Sequence, residues 1–209
     1  MTAETYRASD PAWVDRAVAI LREGGVVGIP TETVYGIAVL PLQAALGRLV
    51  AIKRRSPDKG IALLIDSVEQ VRDVAVVPPA AERLADRFWP GPLTLVLDIR
   101  PGIELPELLT GGRPTIALRL PDHPVPRSLC RRIGRPIATS SANISGEPDA
   151  TTPEQLLATL GEELALVVDD GPVRGGVPST VVAVSEREPE PLILRHGALS
   201  LADIREIGG

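Results

Sequence analysis

The 209-residue sequence predicts an α/β fold, in which an open, twisted sheet of mixed parallel and antiparallel strands is flanked by helices. Short apolar runs typical of buried strands, such as residues 61–65, alternate with segments whose apolar residues recur at helical spacing. Several late strand candidates lie close enough in sequence to pair antiparallel, which favours a mixed sheet. Because no linker or internal repeat interrupts the pattern, we expect a single domain over residues 1–209, with a core at about 10–197 and no second C-terminal domain.

Apolar residues spaced three and four apart define the predicted helices. The first begins where Asp10 can cap it and Pro11 fits its first turn, and it ends near Gly24. The second helix delivers Lys53 at its C-terminal end. The predicted helical segments, before a short helix that closes the chain, are residues 10–24, 42–53, 67–75, 79–88, 124–133 and 153–160.

Short apolar segments bounded by glycine, proline or polar residues define the predicted strands. These are residues 26–29, 61–65, 93–97, 115–120, a short segment at 137, and residues 166–169, 180–184 and 192–194. Residues 30–36 are predicted to form a loop after the first strand. Residues 100–114 are rich in proline and glycine and have no clean period, so we expect a flap there.

Composition excludes several classes of protein. The chain has 22 basic and 27 acidic residues, a net charge of −5, and 44% hydrophobic residues, whereas disordered chains are far more polar. Its apolar runs of about five residues are much shorter than the roughly 20 that a membrane-spanning helix needs. The polar N-terminus lacks the apolar core of a secretory signal, and one cysteine cannot form an internal disulfide. We therefore expect a cytoplasmic protein without membrane contact, and the mild acidity disfavours broad nonspecific nucleic-acid binding.

The basic residues are unevenly distributed. Arginine accounts for 20 of the 22, yet both lysines, Lys53 and Lys59, fall in one seven-residue window that also contains Arg55. Retention of two compact ammonium groups at this place indicates an anion-binding role. The alternative is a solvated charge run that interacts favourably with the dipole of the preceding helix.

Hydroxyl-rich segments accompany three of the predicted strands, at residues 30–36, 139–146 and 179–180. Hydroxyl and amide donors suit phosphate oxygens without adding charge, and loops beyond the strand ends of α/β sheets line the binding crevice. With Arg119 and Arg195 at strand ends, these segments predict a site for a polyphosphate. Taken singly, each segment is also compatible with an ordinary turn or cap.

Other common chemistries lack the residues that they need. Neither lysine stands in a Walker A phosphate loop, and no GxGxxG fingerprint is present. Two histidines and one cysteine cannot build a clustered zinc site, so any metal should arrive with a substrate. We expect structural roles for His123 and His196 and a place in the core for Cys130.

Seven ordered segments carry a resemblance to a known family. They are GGVVGIPTETVYGI, the KxR element of Lys53 and Arg55, WPGPLTLVL, ALRLPDHP, the Ser141 and Asn143 pair of SANISG, PSTVV, and ILRHGAL. From about residue 13 to 197 the sequence resembles the YrdC-like L-threonylcarbamoyladenylate synthases in their short, single-domain form. The pairing of KxR with SxN resembles the active synthases more than paralogues that have lost those elements.

The resemblance implies a sheet with a concave, positively lined cavity and an ATP-dependent nucleotidyltransferase activity. The implied reaction joins L-threonine, bicarbonate and ATP to give L-threonylcarbamoyl-AMP and pyrophosphate, for threonylcarbamoyl modification of a tRNA adenosine next to the anticodon. Mg²⁺ would accompany ATP without a metal site on the protein. A downstream tRNA threonylcarbamoyl-transferase complex would collect the product, and a weak contact with tRNA is compatible with the resemblance.

The resemblance also implies roles for individual residues. Lys53 and Arg55 would be catalytic, by offsetting charge on the reacting phosphates. The residues implied around threonine are Thr31, Arg119, Thr139 and Ser179. Those implied around ATP are Arg55, Lys59, Thr115, Ser141, Asn143 and Arg195.

Two other functions stay open at this point. A double-stranded RNA or tRNA-binding module would share a basic concave surface, although binding to a phosphate backbone uses many spread cations, whereas these cluster with hydroxyls. A carbamoyl-transferring paralogue that acts on a different acceptor would share the nucleotide-binding elements but need not keep the threonine contacts.

Overall fold

A computed structural model describes residues 3–188 and 190–208. The strands in this part of the chain are β1 (Glu4–Arg7), β2 (Val27–Ile29), β3 (Gly36–Val39), β4 (Ala62–Leu64), β5 (Leu93–Asp98), β6 (Thr115–Arg119), β7 (Ile137–Ser141), β8 (Leu166–Asp169), β9 (Thr180–Ala183) and β10 (Leu192–Arg195). The helices are α1 (Ala12–Arg22), α2 (Gln43–Lys53), α3 (Glu69–Val74), α4 (Pro79–Phe88), α5 (Glu107–Thr110), α6 (Pro124–Ile133), α7 (Pro153–Leu160) and α8 (Leu201–Gly208). None of these helices is both long enough and apolar enough to cross a membrane.

The strands of the described residues join one ten-stranded sheet in the order β1-β8-β2-β3-β7-β4-β6-β5-β9-β10. Four neighbouring pairs are parallel: β1 with β8, β8 with β2, β4 with β6, and β5 with β9. The other neighbours are antiparallel. The predicted open sheet of mixed strands with flanking helices is therefore confirmed.

Two hydrophobic clusters, one on each face of the sheet, form the core. Successive side chains of a strand point to opposite faces, and neighbouring residues of β7 and of β8 accordingly fall in different clusters. On one face, α1 and α6 contribute Leu21 and Leu129. On the other face, α2 and α4 contribute Leu49 and Leu84, which belong to the same cluster as Leu118 of β6.

The cluster beneath α1 and α6 leaves part of its face of the sheet free. It extends only as far as Leu64 on β4 and includes no residue of the next strands, β6, β5 and β9. In β6, Ile116 and Leu118 are buried in the opposite cluster. Alternation therefore turns Thr115 and Arg119 toward the free part of the face, and a cavity forms there.

Three features of the sheet differ from the sequence-based prediction. β1 was outside the predicted elements because it is a half-exposed edge strand whose sequence, ETYR, contains no apolar run. β3 begins at Gly36, inside the predicted loop, and all four of its residues are buried, so it lacks the alternation typical of a half-exposed strand. β7 extends to Ser141, which places residues 139–141 on a strand rather than in a loop after it.

In the expected flap at residues 100–114 the middle is packed on the core, whereas residues 101–104 and 112–114 are exposed. It contains the short helix α5, in which Leu109 is buried against the core. The Ile61 N–H donates to the Leu109 carbonyl at 2.8 Å, immediately before β4. The prolines and glycines of this segment therefore shape turns around a short helix, and the segment is fastened to the sheet.

Two of the residues expected to be structural occupy structural positions. Nδ1 of His123 accepts a hydrogen bond from the Val125 N–H at 3.2 Å and caps α6. Cys130 is fully buried within α6, and burial raises the pKa of its thiol to about 12. A thiol with so high a pKa stays protonated and unreactive at neutral pH, as expected for a core residue.

Leu118→Ala should lower the free energy of unfolding by about 2–5 kcal/mol, because it leaves a cavity on the core side of β6. Urea denaturation followed by circular dichroism measures the change. The matched control Leu192→Ala removes the same atoms from a side chain that is 57% exposed rather than 0%. It should change the free energy of unfolding by less than about 1 kcal/mol. Equal losses in the two variants would contradict the assignment of faces on β6.

Candidate active site

The cavity on the free part of the sheet has a volume of about 320 Å³, within the roughly 300–1,000 Å³ typical of small-molecule sites. Its wall carries five cationic side chains, those of Arg55, Lys59, Arg113, Arg119 and Arg195, and none of the described residues that line it is acidic. The hydroxyl-bearing residues of the wall are Thr31, Tyr35, Thr94, Thr110, Thr115, Thr139, Ser140, Ser141 and Ser179. Positive charge with neutral hydrogen-bonding groups suits a multiply charged anion.

Arg55 reaches the cavity through the turn that ends α2. The C-cap residue, Arg54, has a left-handed φ of 47°, which is uncommon for a residue other than glycine. Beyond this turn, Nη2 of Arg55 donates to the carbonyls of Lys59 at 2.9 Å and Gly60 at 3.0 Å, and Nη1 donates to Ser140 Oγ at 3.3 Å. Burial lowers the pKa of Arg55. Neutral oxygens therefore fix a guanidinium that forms no ion pair with a carboxylate among the described residues.

Lys53, the last residue of α2, lies behind the wall rather than on it. Only 4% of the residue is exposed. Nζ donates to the Ser141 carbonyl at 2.6 Å, to Ser141 Oγ at 3.3 Å and, in a short contact, to Asn143 Oδ1. The Asn143 side chain in turn accepts from Ser141 Oγ at 2.7 Å and donates to the Glu147 carbonyl at 2.5 Å. The ammonium group of Lys53 therefore holds the turn that follows β7.

Arg119 marks the other end of the cavity and forms a buried ion pair. Nη2 donates to Glu32 Oε1 at 2.7 Å and to Thr33 Oγ1 at 3.0 Å, while Nε donates to the Gly91 carbonyl at 3.2 Å. The two charged side chains are 8% and 15% exposed. These bonds fix the plane of the guanidinium, and no hydrogen bond within the described residues engages Nη1. Nη1 is thus available for a ligand.

The hydroxyl groups of Thr31 and Ser179, near Arg119, form hydrogen bonds within the protein. Thr31 Oγ1 donates to the Val34 carbonyl at 2.6 Å and accepts from the Val34 N–H at 3.2 Å, which closes the loop between β2 and β3. Ser179 Oγ lies 2.8 Å from Thr94 Oγ1 and accepts from Arg195 Nη2 at 3.1 Å. Burial lowers the pKa of Arg195. Neutral groups therefore orient Arg195, as they orient Arg55.

Comparison with known proteins places the chain in a family. The family model Sua5/YciO/YrdC, described as "Telomere recombination", matches residues 19–197. The chain belongs to this family. A threonylcarbamoyl-AMP synthase of Pyrococcus abyssi (strain GE5 / Orsay) is 41% identical over 196 residues, which make up 92% of this chain and 56% of that protein. A putative threonylcarbamoyl-AMP synthase of Mycobacterium tuberculosis (strain CDC 1551 / Oshkosh) is 35% identical over 212 aligned residues, 99% of this chain and 95% of that protein.

The fold is similar to that of a solved structure, P. abyssi Sua5 complexed with L-threonine, with a TM-score of 0.90 and 38% identity. The match covers 99% of this chain and 61% of that chain. The chain therefore spans less than two thirds of the P. abyssi protein, although it spans nearly all of the M. tuberculosis protein.

The structure brings together most of the residues that the Sua5/YciO/YrdC resemblance implies. The predicted residues that line the cavity are Thr31, Arg55, Lys59, Thr115, Arg119, Thr139, Ser141, Ser179 and Arg195. The two that do not line it, Lys53 and Asn143, are bonded to each other directly behind Ser141. Their individual roles stay predictions.

Arg113 and Thr110 also line the cavity, and sequence reasoning missed both. They lie in the proline- and glycine-rich segment that was predicted as a flap, where no periodicity indicates which side chains face inward. Arg113 could have been predicted from its position just before the strand that carries Thr115 and Arg119.

Lys53 should lose its proton near pH 8, because burial lowers the pKa of its ammonium group from 10.5 to about 8, with smaller effects of neighbouring charges. The chain has two lysines, so ¹³C-lysine labelling gives two Cε signals. In the variant Lys59→Arg the remaining signal is that of Lys53. NMR titration measures its midpoint. A Lys53 midpoint near the ordinary value of 10.5 would show that its ammonium group is not buried as described.

The same shift makes stability depend on pH. The unfolded chain has the higher pKa, so it binds more protons between pH 8 and 10.5, and the contribution of Lys53 to the free energy of unfolding rises with pH across this window. Urea denaturation of wild type and Lys53→Met at about pH 7.5 and about pH 9 isolates this contribution. The wild type should gain stability relative to the variant at the higher pH, and an unchanged difference would contradict the shift.

Proposed function

We propose that this protein is an L-threonylcarbamoyladenylate synthase, which joins L-threonine, bicarbonate and ATP to give L-threonylcarbamoyl-AMP and pyrophosphate. The observation that carries the proposal is the convergence of five cations and many hydroxyls on one cavity without an acidic group among the described lining residues. The names of the similar proteins support the same activity.

The Arg119 end of the cavity suits the amino acid. Nη1 of Arg119 is free to donate a charge-assisted hydrogen bond to the threonine carboxylate, because Nη2 and Nε are already bonded within the protein. Ser179 and Thr139 offer hydroxyls beside it on the cavity wall. Thr31 would act mainly by shaping the loop, because its hydroxyl already bonds to the Val34 backbone.

The opposite part of the wall suits the nucleotide. Arg55 and Lys59 supply charge for the phosphates there, and Thr115 and Ser141 supply hydroxyl groups. Arg195, which bonds to Ser179, supplies a further charge from the Arg119 side of the cavity. Asn143 and Lys53 would act through Ser141, whose side chain and carbonyl they hold in place. Lys53 is in this view a positioning residue, whereas Arg55 contacts the substrate.

Mg²⁺ enters the proposal as part of the substrate MgATP. The described residues contain no cluster of three histidine, cysteine or acidic side chains that would hold a metal ion, and the wall offers hydroxyls and cations. Such a donor set fits a divalent ion carried by the phosphate oxygens of ATP. The bound ion would neutralise phosphate charge.

The proposed reaction needs positioning and charge stabilisation rather than a protein nucleophile. The threonine amine attacks the carbon of bicarbonate, and water is lost to give the carbamate. A carbamate oxygen then bonds to the α-phosphorus of ATP while the bond from that phosphorus to the β-phosphate oxygen breaks, and pyrophosphate leaves. The residue best placed to stabilise the departing charge is Arg55, because backbone carbonyls already fix its guanidinium.

The product constrains the partners that we propose. A carbamoyl–phosphate anhydride is labile in water, so a transferase must consume it soon after release. We therefore include a tRNA threonylcarbamoyl-transferase complex as the downstream partner, in the cytoplasm, with the tRNA adenosine next to the anticodon as the final acceptor.

Pyrophosphate release from MgATP should require L-threonine and bicarbonate together. A coupled pyrophosphate assay, with each component omitted in turn, measures this dependence, and mass spectrometry identifies the product. Omission of either component should reduce release to background because the carbamate cannot form. Release that continues without threonine would contradict the proposal. Tight, salt-sensitive RNA binding unaffected by ATP would favour an RNA-binding module instead.

Arg55→Ala should reduce kcat/KM by about 30- to 1,000-fold, because it removes a charge-assisted contact that strengthens as pyrophosphate departs. Steady-state kinetics with saturating threonine and bicarbonate measure the loss, and thermal unfolding checks that the variant folds. The matched control Arg205→Ala removes an exposed arginine of α8, which does not line the cavity, and should retain wild-type rates. Near-normal turnover by Arg55→Ala would remove Arg55 from the mechanism.

A further inference from the structure

Two cations lie at the mouth of the cavity with their charged groups unbonded to any described residue. Arg113 and Lys59 are both exposed and both line the cavity. Within the described residues, no hydrogen bond or ion pair engages either charged group, whereas surface arginines elsewhere pair with carboxylates, as Arg72 does with Glu82 at 2.8 Å. Unpaired cations on a cavity wall raise the local potential for an anion.

The backbone holds these two residues at one edge of the sheet. Lys59 precedes β4 and Arg113 precedes β6, and β4 and β6 are neighbouring parallel strands, so both residues lie where the strands begin. Arg55 reaches the same edge, because its guanidinium bonds to the carbonyl of Lys59. Three positive charges therefore gather there.

The turn that carries Arg113 is packed directly on the turn that carries Lys59. Gly111 has a φ of +65°, and a Cβ at this position would lie 2.3 Å from the carbonyl oxygen of Asp58, so only glycine fits. The hydrogen bond from the Ile61 N–H to the Leu109 carbonyl fastens the same two segments. The separation of Lys59 and Arg113 is thus set by backbone packing, although their side chains are exposed.

The acidic residue Asp58 faces this cationic edge. A hydrogen bond from Ser56 lowers the pKa of Asp58, and the nearby charges of Arg113 and Lys59 lower it further. Asp58 is exposed and does not line the cavity. A second carboxylate, that of Glu107, has its Oε1 3.9 Å from where a Cβ of Gly112 would lie. Two carboxylates against Arg55, Lys59 and Arg113 still leave the edge positive.

This cationic edge is distant from the amino-acid end. Thr115 and Arg119 are the two ends of β6, and four residue steps of extended chain separate them by roughly 13 Å. Arg113 lies beyond Thr115 on the side away from Arg119. A ligand held between the two ends would therefore place its most distant anionic groups beside Arg113.

We propose that Arg113 is a further phosphate-binding residue, which together with Lys59 holds the β- and γ-phosphates of ATP and the pyrophosphate formed from them. This inference rests on the proposed function, in which the bond between the α-phosphorus and the β-phosphate oxygen breaks. The groups on the leaving side carry most of the charge of ATP, and Arg113 offers an unengaged fork of N–H donors for them.

Isothermal titration calorimetry with MgATP, magnesium pyrophosphate and AMP tests the inference. Arg113→Ala should weaken MgATP and pyrophosphate binding by about 5- to 20-fold and AMP binding by less than about 2-fold, because AMP lacks the two outer phosphates. The effect should shrink as the salt concentration rises, since Arg113 is exposed.

Arg135→Ala is the matched control. Arg135 is also exposed, also precedes a proline and also stands just before a strand, β7, but it does not line the cavity. It should bind all three ligands as the wild type does.

Three outcomes would overturn the inference: unchanged binding of MgATP and pyrophosphate by Arg113→Ala, an equal loss for AMP, or a wild-type protein that binds neither polyphosphate. Threonine-dependent pyrophosphate release by the wild type is measured separately. Its absence would count against the proposed function, whereas the calorimetry would still decide whether Arg113 binds outer phosphates.

Discussion

Mutual repulsion of like charges is the constraint around which the site is built. Five cations face one cavity of about 320 Å³, and no described lining residue is acidic. Two unit charges about 8 Å apart repel by about 2 kcal/mol at an effective dielectric constant of about 20. The protein therefore has to hold these groups in place without direct neutralisation by carboxylates on the wall.

Neutral hydrogen-bond acceptors and one mostly buried carboxylate hold the arginine side chains in place. Backbone carbonyls orient Arg55, and the Ser179 carbonyl and hydroxyl orient Arg195. The carboxylate that pairs with Arg119, that of Glu32, is mostly buried behind it. Burial lowers the pKa of Lys53, Arg55 and Arg195, which records the cost of keeping these groups charged. A negatively charged ligand in the cavity would stabilise the charged forms of these groups.

The strands of the sheet give the positively charged cavity two distinct ends. β6 runs from Thr115 to Arg119, and its neighbours bring loops from distant parts of the chain to each end. One end combines a buried ion pair with hydroxyls, which suits a small zwitterion. The other gathers Arg55, Lys59 and Arg113 on two mutually packed turns, which suits a flexible, highly charged phosphate chain. These two ends match the amino acid and the nucleotide of the proposed reaction.

Local pattern was sufficient for much of the fold and for the chemistry of the site. Helices α4, α6 and α7 have the predicted bounds, since strong apolar periodicity and N-terminal prolines define them. Arg119 and Arg195 were predicted at strand ends, and they are the last residues of β6 and β10. The clustering of Lys53, Arg55 and Lys59 indicated an anion site.

Long-range packing decided the rest. β1 forms a strand because it pairs with β8, which lies about 160 residues later in the chain, and its own four residues carry no apolar signal. Lys53 lies behind the wall, rather than on it, because the turn after β7 supplies its acceptors. Arg113 reaches the mouth because Gly111 packs on Asp58. The sequence by itself thus determined which elements form and which charges the site uses. Only the tertiary structure decided which of those charges face the ligand, because that depends on contacts between residues far apart in the chain.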